Sequence, residues 1–230
     1  MRRDVVHDAL QSRPLRSGRA TVRSLQRNLS HPVVARARAA LLVRQERPPK
    51  DNTRLIDEAR AFALSLPTPV RLQVCVSLDR THCFIYAWME PAALGACTPA
   101  EPQASRLQPL AEWQCASALE EAPYHYVVAT DVEPQEECEF NRWYDGEHMP
   151  GLAAVAGTVH CARLRTGDGS PRYHACYDLM SPDVLDSSEW LAARHTAWST
   201  RVRPHFRNPR RIMFHTLLDE RRLAVSGAYF

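Results

Sequence analysis

Apolar and polar positions alternate with a period of two in several short stretches, and recur with a helical period between them. Ala40–Gln45 (ALLVRQ), Val70–Leu78 (VRLQVCVSL) and His82–Met89 (HCFIYAWM) read as strands, with a turn joining the last two. Asp51–Leu66 reads as a helix. Leu55, Ile56, Ala59, Phe62 and Ala63 share one face, Asp51 or Asn52 supplies a cap, and Pro67 and Pro69 end it. Residues 91–109, rich in Pro and Ala, read as helix plus loop, and Ala111–Ala118 as a closing strand. The same order then returns. Tyr124–Thr130 is a strand, and a helix runs from Pro134, with acids in its first turn, to about Ala154. Thr158–Arg165 and Arg172–Leu179 form a hairpin around TGDGSP. Ser187–Val202 is a second helix and Arg211–Leu217 a fourth strand.

The fold predicted is α+β: two tandem ferredoxin-like βαββαβ units. The spacing Y-x-x-M-x-P-x-x-L occurs at Tyr86, Met89, Pro91 and Leu94, and again at Tyr177, Met180, Pro182 and Leu185, which reads as an internal repeat. The expected organisation is an Arg-rich extension (1–39), a first unit (40–120), a second unit (121–218) and a tail (219–230).

Composition narrows the class. At 230 residues, 45% apolar and 24% charged, the chain can bury a sizeable core. No apolar run reaches the roughly 20 residues of a membrane span, and residues 1–40 lack the layout of a secretory signal. Net charge is +3, yet 28 of the 29 basic residues are Arg and nine of those fall in residues 1–38. Beyond that segment the chain is slightly acidic, so a nucleic-acid-binding body is not expected. The seven Cys (75, 83, 97, 115, 138, 161 and 176) include no C-x-x-C pair and read as free thiols of a cytoplasmic protein.

Candidate chemistry concentrates in Phe140–Gly157, FNRWYDGEHMPGLAAVAG. On a helix Tyr144 and His148 are i,i+4 neighbours, and Asp145 and His148 are i,i+3 neighbours. A His at a helix C-terminus beside a carboxylate is expected to favour its protonated form and to act as acid or base near neutrality. The plainer alternative is that Trp143 is core and His148 a C-terminal cap.

The pattern F-N-x-W-Y-D-x-E-H-x-P-x-L-x-x-V-x-G, followed by Arg163 on a strand and by R-Y-x-x-x-Y-x-L, resembles EthD-like members of the dimeric α+β barrel superfamily over residues 123–218. The resemblance implies a ferredoxin-like sheet closed into a barrel by a second sheet. Here residues 40–120 are expected to supply that sheet, making a pseudo-dimeric barrel. The first unit lacks WYDxEH, so the chemistry is expected in the second. The superfamily includes cofactor-free isomerases, cyclases and oxygenases, dehalogenases and haem peroxidases, so the fold fixes no single reaction. His148 carries over as the leading site residue, with Tyr144 and Asp145.

Strand His residues at 125, 160, 174 and 215 are candidate partners, with His125 and His215 as catalytic helpers, although a hydrogen-bonded core His is the ordinary reading of each. Trp143, Tyr126, Arg163, His174, Tyr177, Trp190 and Trp198 are the expected pocket residues. No metal-ligand spacing, dinucleotide motif, Walker motif or nucleophile elbow is present, and neither metal nor cofactor is expected. Arg201, Arg203, Arg207, Arg210 and Arg211 read as a solvated face or as a clamp for a carboxylated substrate. The functional expectation is a cofactor-independent isomerase, cyclase or lyase acting on a small carbonyl-bearing metabolite. The alternatives are a non-catalytic ligand-binding or scaffolding barrel and a cofactor-free oxygenase. Expected partners are a small-molecule ligand and, as an open option, a second copy of the chain; neither a membrane nor a nucleic acid is expected.

Overall fold

A computed structural model describes residues 37–68, 70–97, 104–167 and 169–223. The Arg-rich extension lies outside the described residues except at its last positions.

The first run of elements is β1 (Ala39–Glu46), α1 (Asn52–Leu64), β2 (Val70–Ser77), β3 (His82–Met89), α2 (Pro91–Ala96) and β4 (Ala104–Gln114). Asp51 caps α1 by accepting from the backbone N–H groups of Thr53 and Arg54. The second run is β5 (Tyr124–Val132), a helical rod from Pro134 to Ala153, β6 (Thr158–Thr166), β7 (Tyr173–Leu179), two short helices and β8 (Phe206–Leu223). All neighbouring strands are antiparallel, in the closed order β1-β3-β2-β8-β5-β7-β6-β4. Each run alone has the ferredoxin-like order, 4-1-3-2 and then 8-5-7-6, and the pairs β2–β8 and β4–β6 join them. Closure leaves no free sheet edge among the described strands.

Side-chain parity makes three cores. Phe84, Tyr86, Trp88, Val127, Cys176 and Phe214 fill the barrel lumen. Leu55, Ala59 and Ala63 of α1 cover one outer face. The second run's helices cover the other, through Phe140, Trp143, Met149, Leu152 and Trp190.

Several expectations need correction. β4 begins at Ala104 rather than Ala111, and the register shift between Pro109 and Ala111 accommodates a proline that cannot donate to the ladder. β8 spans 18 residues rather than seven, because one strand pairs with β5 along one part and with β2 along the other. Its many charged residues hide the alternation. The expected helix Ser187–Val202 is two, α5 (Ser188–Arg194) and α6 (Ala197–Val202), because Thr196 starts a new cap on the Ser199 N–H. The sequence repeat is not a structural one. Tyr86 points into the lumen and Tyr177 toward the helices. Two residues, Met180 and Ser181, separate β7 from Pro182, where Glu90 alone separates β3 from Pro91. A one-residue offset in a strand reverses every side chain.

Candidate functional site: an aromatic cleft under a wide helical turn

The rod after β5 is not one regular helix. A 3-10 turn (Pro134–Glu136) leads into α3 (Glu137–Trp143), the five residues Tyr144–His148 form a π-turn, and α4 (Met149–Ala153) follows. Pro150 explains the widening. It lacks an N–H and its ring would collide with the carbonyl four residues back, so a wider turn before it relieves the clash. The rod continues through His148, so that residue is not at a helix C-terminus. The π-turn directs Tyr144 and His148 inward together, with ring centroids 5.3 Å apart.

His148 is 6% exposed and stacks on Trp143, centroids 4.2 Å apart and planes 18° apart. Burial, reinforced by Arg203, pushes its imidazole down to about 3, against a slight pull upward from the Ala193 backbone. The imidazole is therefore neutral, which corrects the expectation of a protonated His. Asp145 does not reach it. That carboxylate turns outward to Arg163 Nη1 at 2.6 Å, while Arg163 Nη2 donates to Asn141 Oδ1 at 2.7 Å. Arg163 is buried, lies 4.4 Å from the Tyr144 ring centroid, and pins the wide turn to β6 from behind. It is not part of the cleft lining.

The cleft lies between the rod, α5 and the outer face of the sheet. Tyr126, Trp143, Tyr144, His148, Tyr177 and Trp190 line it, joined by Arg194, Arg203 and Arg211. Its cavity is about 30 Å3, space for about one water. His148 Nδ1 and Trp143 Nε1 are both buried without a hydrogen-bond partner. Buried polar atoms are nearly always paired, and an orphan costs about 1–3 kcal/mol. Burial pushes the Tyr144 phenol up to about 12, against the opposing pull of Arg163, so it stays protonated. Among the described residues no carboxylate pairs with Arg194, Arg203 or Arg211; Arg203 Nη2 instead donates to the Arg194 carbonyl at 2.6 Å.

The strand histidines do not converge on His148. His125 and His174 point into the lumen, on the opposite face of the sheet. His215 is exposed and packs on Tyr124 at 4.9 Å. Trp198 covers the outside of the wide turn, donating to Glu139 Oε1 at 2.8 Å. The break after α5 removes the helical spacing that would have set Trp198 beside Trp190. Arg194 was not singled out by the pattern, since only the folding back of α6 and β8 sets it beside Arg203.

A second polar centre occupies one mouth of the lumen. Asp178 accepts from His125 Nδ1 at 2.6 Å and Gln73 Nε2 at 3.1 Å, with His160 Nδ1 at 3.4 Å and Arg71 at 3.5 Å. His160 also meets Glu112 at 2.6 Å. Burial opposes the charge on both residues. The histidines outweigh it for Asp178, held well below the usual carboxylate range, and the carboxylates outweigh it for His160, raised to about 9. A cavity of about 790 Å3 opens beside them. Every charge in this cluster is paired, which marks it as a latch across the mouth. Among the described residues no group of three or more His, Cys, Asp or Glu is arranged to hold a metal ion. All seven cysteines are free, and only Cys138 is exposed. No described helix is long and apolar enough to cross a membrane.

The architecture is that of the ferredoxin-like α+β barrels. Solved structures share it: an anthrone oxidase-like protein (TM-score 0.60, 13% identity, 84% of this chain and 97% of that one), a protein provisionally named a monooxygenase from Fusobacterium nucleatum (0.56, 13%, 81% and 95%) and a major regulator of staphylococcal pathogenesis (0.53, 8%, 78% and 99%). Each alignment spans about four-fifths of this chain and so runs through both halves of the barrel. At these identities the likeness establishes the fold. No family model and no curated protein matches the sequence.

Proposed function

We propose that the chain is an enzyme of the cofactor-independent oxygenase type, acting in the aromatic cleft on a small, acidic aromatic metabolite. The single observation that carries this reading is a pair of buried polar atoms without partners, His148 Nδ1 and Trp143 Nε1, in one aromatic cleft faced by three arginines that no acid among the described residues neutralises. Such a lining suits an oxyanion carried on a flat ring. His148 is neutral and so free to accept a proton from carbon. Arg203, which adds to burial in disfavouring the imidazolium, would stabilise the enolate left behind. The enolate in turn offsets the charge of the new imidazolium, so proton transfer creates an ion pair instead of an isolated buried charge. With oxygen as co-substrate the steps balance. The carbanion passes its electrons to O2, the proton returns to the peroxide oxygen, and R2CH–OOH loses water to give R2C=O, for R2CH2 + O2 → R2C=O + H2O overall. The names of the anthrone oxidase-like and monooxygenase neighbours favour this outcome over isomerisation, cyclisation or decarboxylation by the same base. A cavity of about 30 Å3 is too small for a ring, since benzene needs about 150 Å3. The half-buried Arg194 and Arg203 side chains are the parts of the wall that would swing out to admit it.

In the same reading the two βαββαβ runs are tandem copies forming a pseudo-dimer. The second copy, similar to the EthD-like proteins, carries the site in a cytoplasmic protein. The test is a thermal-shift screen with hydroxyaromatic and β-dicarbonyl acids, followed by oxygen uptake with each binder. Binding that His148→Gln tolerates, with turnover falling by about 10²–10⁴, supports the base. An unchanged rate removes His148 from the mechanism. The nearly closed cleft and the regulator among the neighbours favour a second reading, a ligand-binding barrel without turnover. Stabilisation by a binder with no oxygen uptake and no product would select it.

A further inference from the structure

We propose a second ligand site, at the end of the barrel lumen opposite the Asp178 latch, that binds a small carboxylate between Arg44, His174 and Arg210. The three side chains line a partly open cavity of about 70 Å3 that Phe84, Val127 and Ile212 line with apolar surface. Arg44 is half-buried, and its partners are neutral: it donates to Ser105 Oγ at 2.6 Å and lies 3.3 Å from His174 Nε2. Among the described residues no carboxylate forms an ion pair with Arg44 or Arg210; Glu46, the one acid of the lining, is exposed, and Asp131 acts on His174 only from outside that lining. A guanidinium withdrawn from water beside a second one is costly unless an anion answers it.

The imidazole gives an independent observation. His174 is 2% exposed, and the Arg44 guanidinium, which has only donors, fixes Nε2 as the acceptor. Nδ1 therefore carries the hydrogen, and it is buried without a partner; the Pro171 backbone faces the ring but lies outside hydrogen-bond geometry. Burial and then Arg44 hold this imidazole down at about 3, so it is a neutral donor beside two cations. One N–H donor and two guanidiniums beside apolar surface suit a carboxylate with a short hydrocarbon tail. The volume limits the ligand to a few heavy atoms. This site lies on the other side of the sheet from the aromatic cleft and does not depend on it.

The test uses the full chain, melted at pH 7 in chloride, acetate, butyrate and phosphate at matched ionic strength. Acetate and butyrate are expected to raise Tm beyond chloride and phosphate, with a saturable dependence. Arg44→Met is expected to lose that rise and to melt in chloride no lower than the parent, because an unanswered charge has gone. His148→Gln, in the other cleft, keeps the rise. An equal effect of chloride, a larger effect of phosphate, or an undiminished acetate response in Arg44→Met would overturn the assignment. If Arg44→Met fails to fold, the exposed Arg210→Gln serves instead: a severalfold weaker acetate response is expected, and an unchanged one rejects the site.

Discussion

The imidazole of His148 lies flat on the indole of Trp143, 4.2 Å between centroids, and both rings bury a nitrogen that no described residue answers. Stacking fixes the angle of the imidazole as the π-turn fixes its depth. The pair presents two unsatisfied nitrogens side by side, at the cost of some stability.

Burial of the imidazoles makes stability pH-dependent. His148 and His174 both sit at about 3 in the folded protein, well below the ordinary 6.5. Below pH 6.5 the unfolded chain takes up protons that the folded one refuses. Their contribution is thus fully present above 6.5 and is lost as pH falls from there toward 3. A Tm series from pH 7.5 to 4 should fall steadily below 6.5. His148→Gln should flatten it by about half, and a parallel curve would show that the residue is solvated.

His160 has the opposite sign. Its pKa of about 9 lies above the ordinary value, so its contribution is complete below 6.5 and lost as pH rises through 9. Denaturant unfolding at pH 6 and pH 10 should show lower stability at the alkaline end, and His160→Gln should narrow the gap.

Asp178 joins β7 to His125 on β5, Gln73 and Arg71 on β2, and His160 on β6. Asp178→Asn leaves His160 and Arg71 buried beside a neutral amide. The expected loss is about 3–5 kcal/mol in urea unfolding. A loss below about 1 kcal/mol would mean that the latch is solvent-screened.

Gly157 has φ +88°, and an added Cβ would come within 2.6 Å of Val184 Cγ2. Gly157→Ala is expected to cost about 1–3 kcal/mol from strain and overlap together. Adding Val184→Ala relieves only the overlap, so the double variant should recover part of the loss relative to Val184→Ala alone. Calorimetric Tm values for the four proteins decide this.

Arg163→Lys keeps the charge but loses the fork that holds Asp145 and Asn141 together. A loss of about 1–3 kcal/mol is expected. Near-ultraviolet circular dichroism should also change, as Trp143 and Tyr144 loosen. Stability and spectrum both unchanged would show that the wide turn holds itself.

Much of the fold was legible in the chain. Period-two alternation located β2, β3, β5 and the β6–β7 hairpin because each buries one face against helices and the other in a filled lumen. Asp51 announced α1, and the WYDGEH segment announced a helix with Trp143, Tyr144 and His148 on it. β8 was undercounted because its charged residues mask a strand that two neighbours hold, and the apparent tyrosine repeat misled because letter spacing ignores a one-residue slip.

The sequence by itself determined the alternation, the caps and the clustering of aromatic and titratable residues between Phe140 and Gly157, since these depend on neighbours within a turn or two. Only the tertiary structure decided that His148 is neutral, that Asp145 serves Arg163, that the strand histidines face the lumen, and that Arg194, Arg203 and Arg211 meet at one cleft. Burial and charge proximity are properties of distance in space. The closed barrel sets those distances by bringing residues far apart in the chain onto one face of the sheet or its opposite.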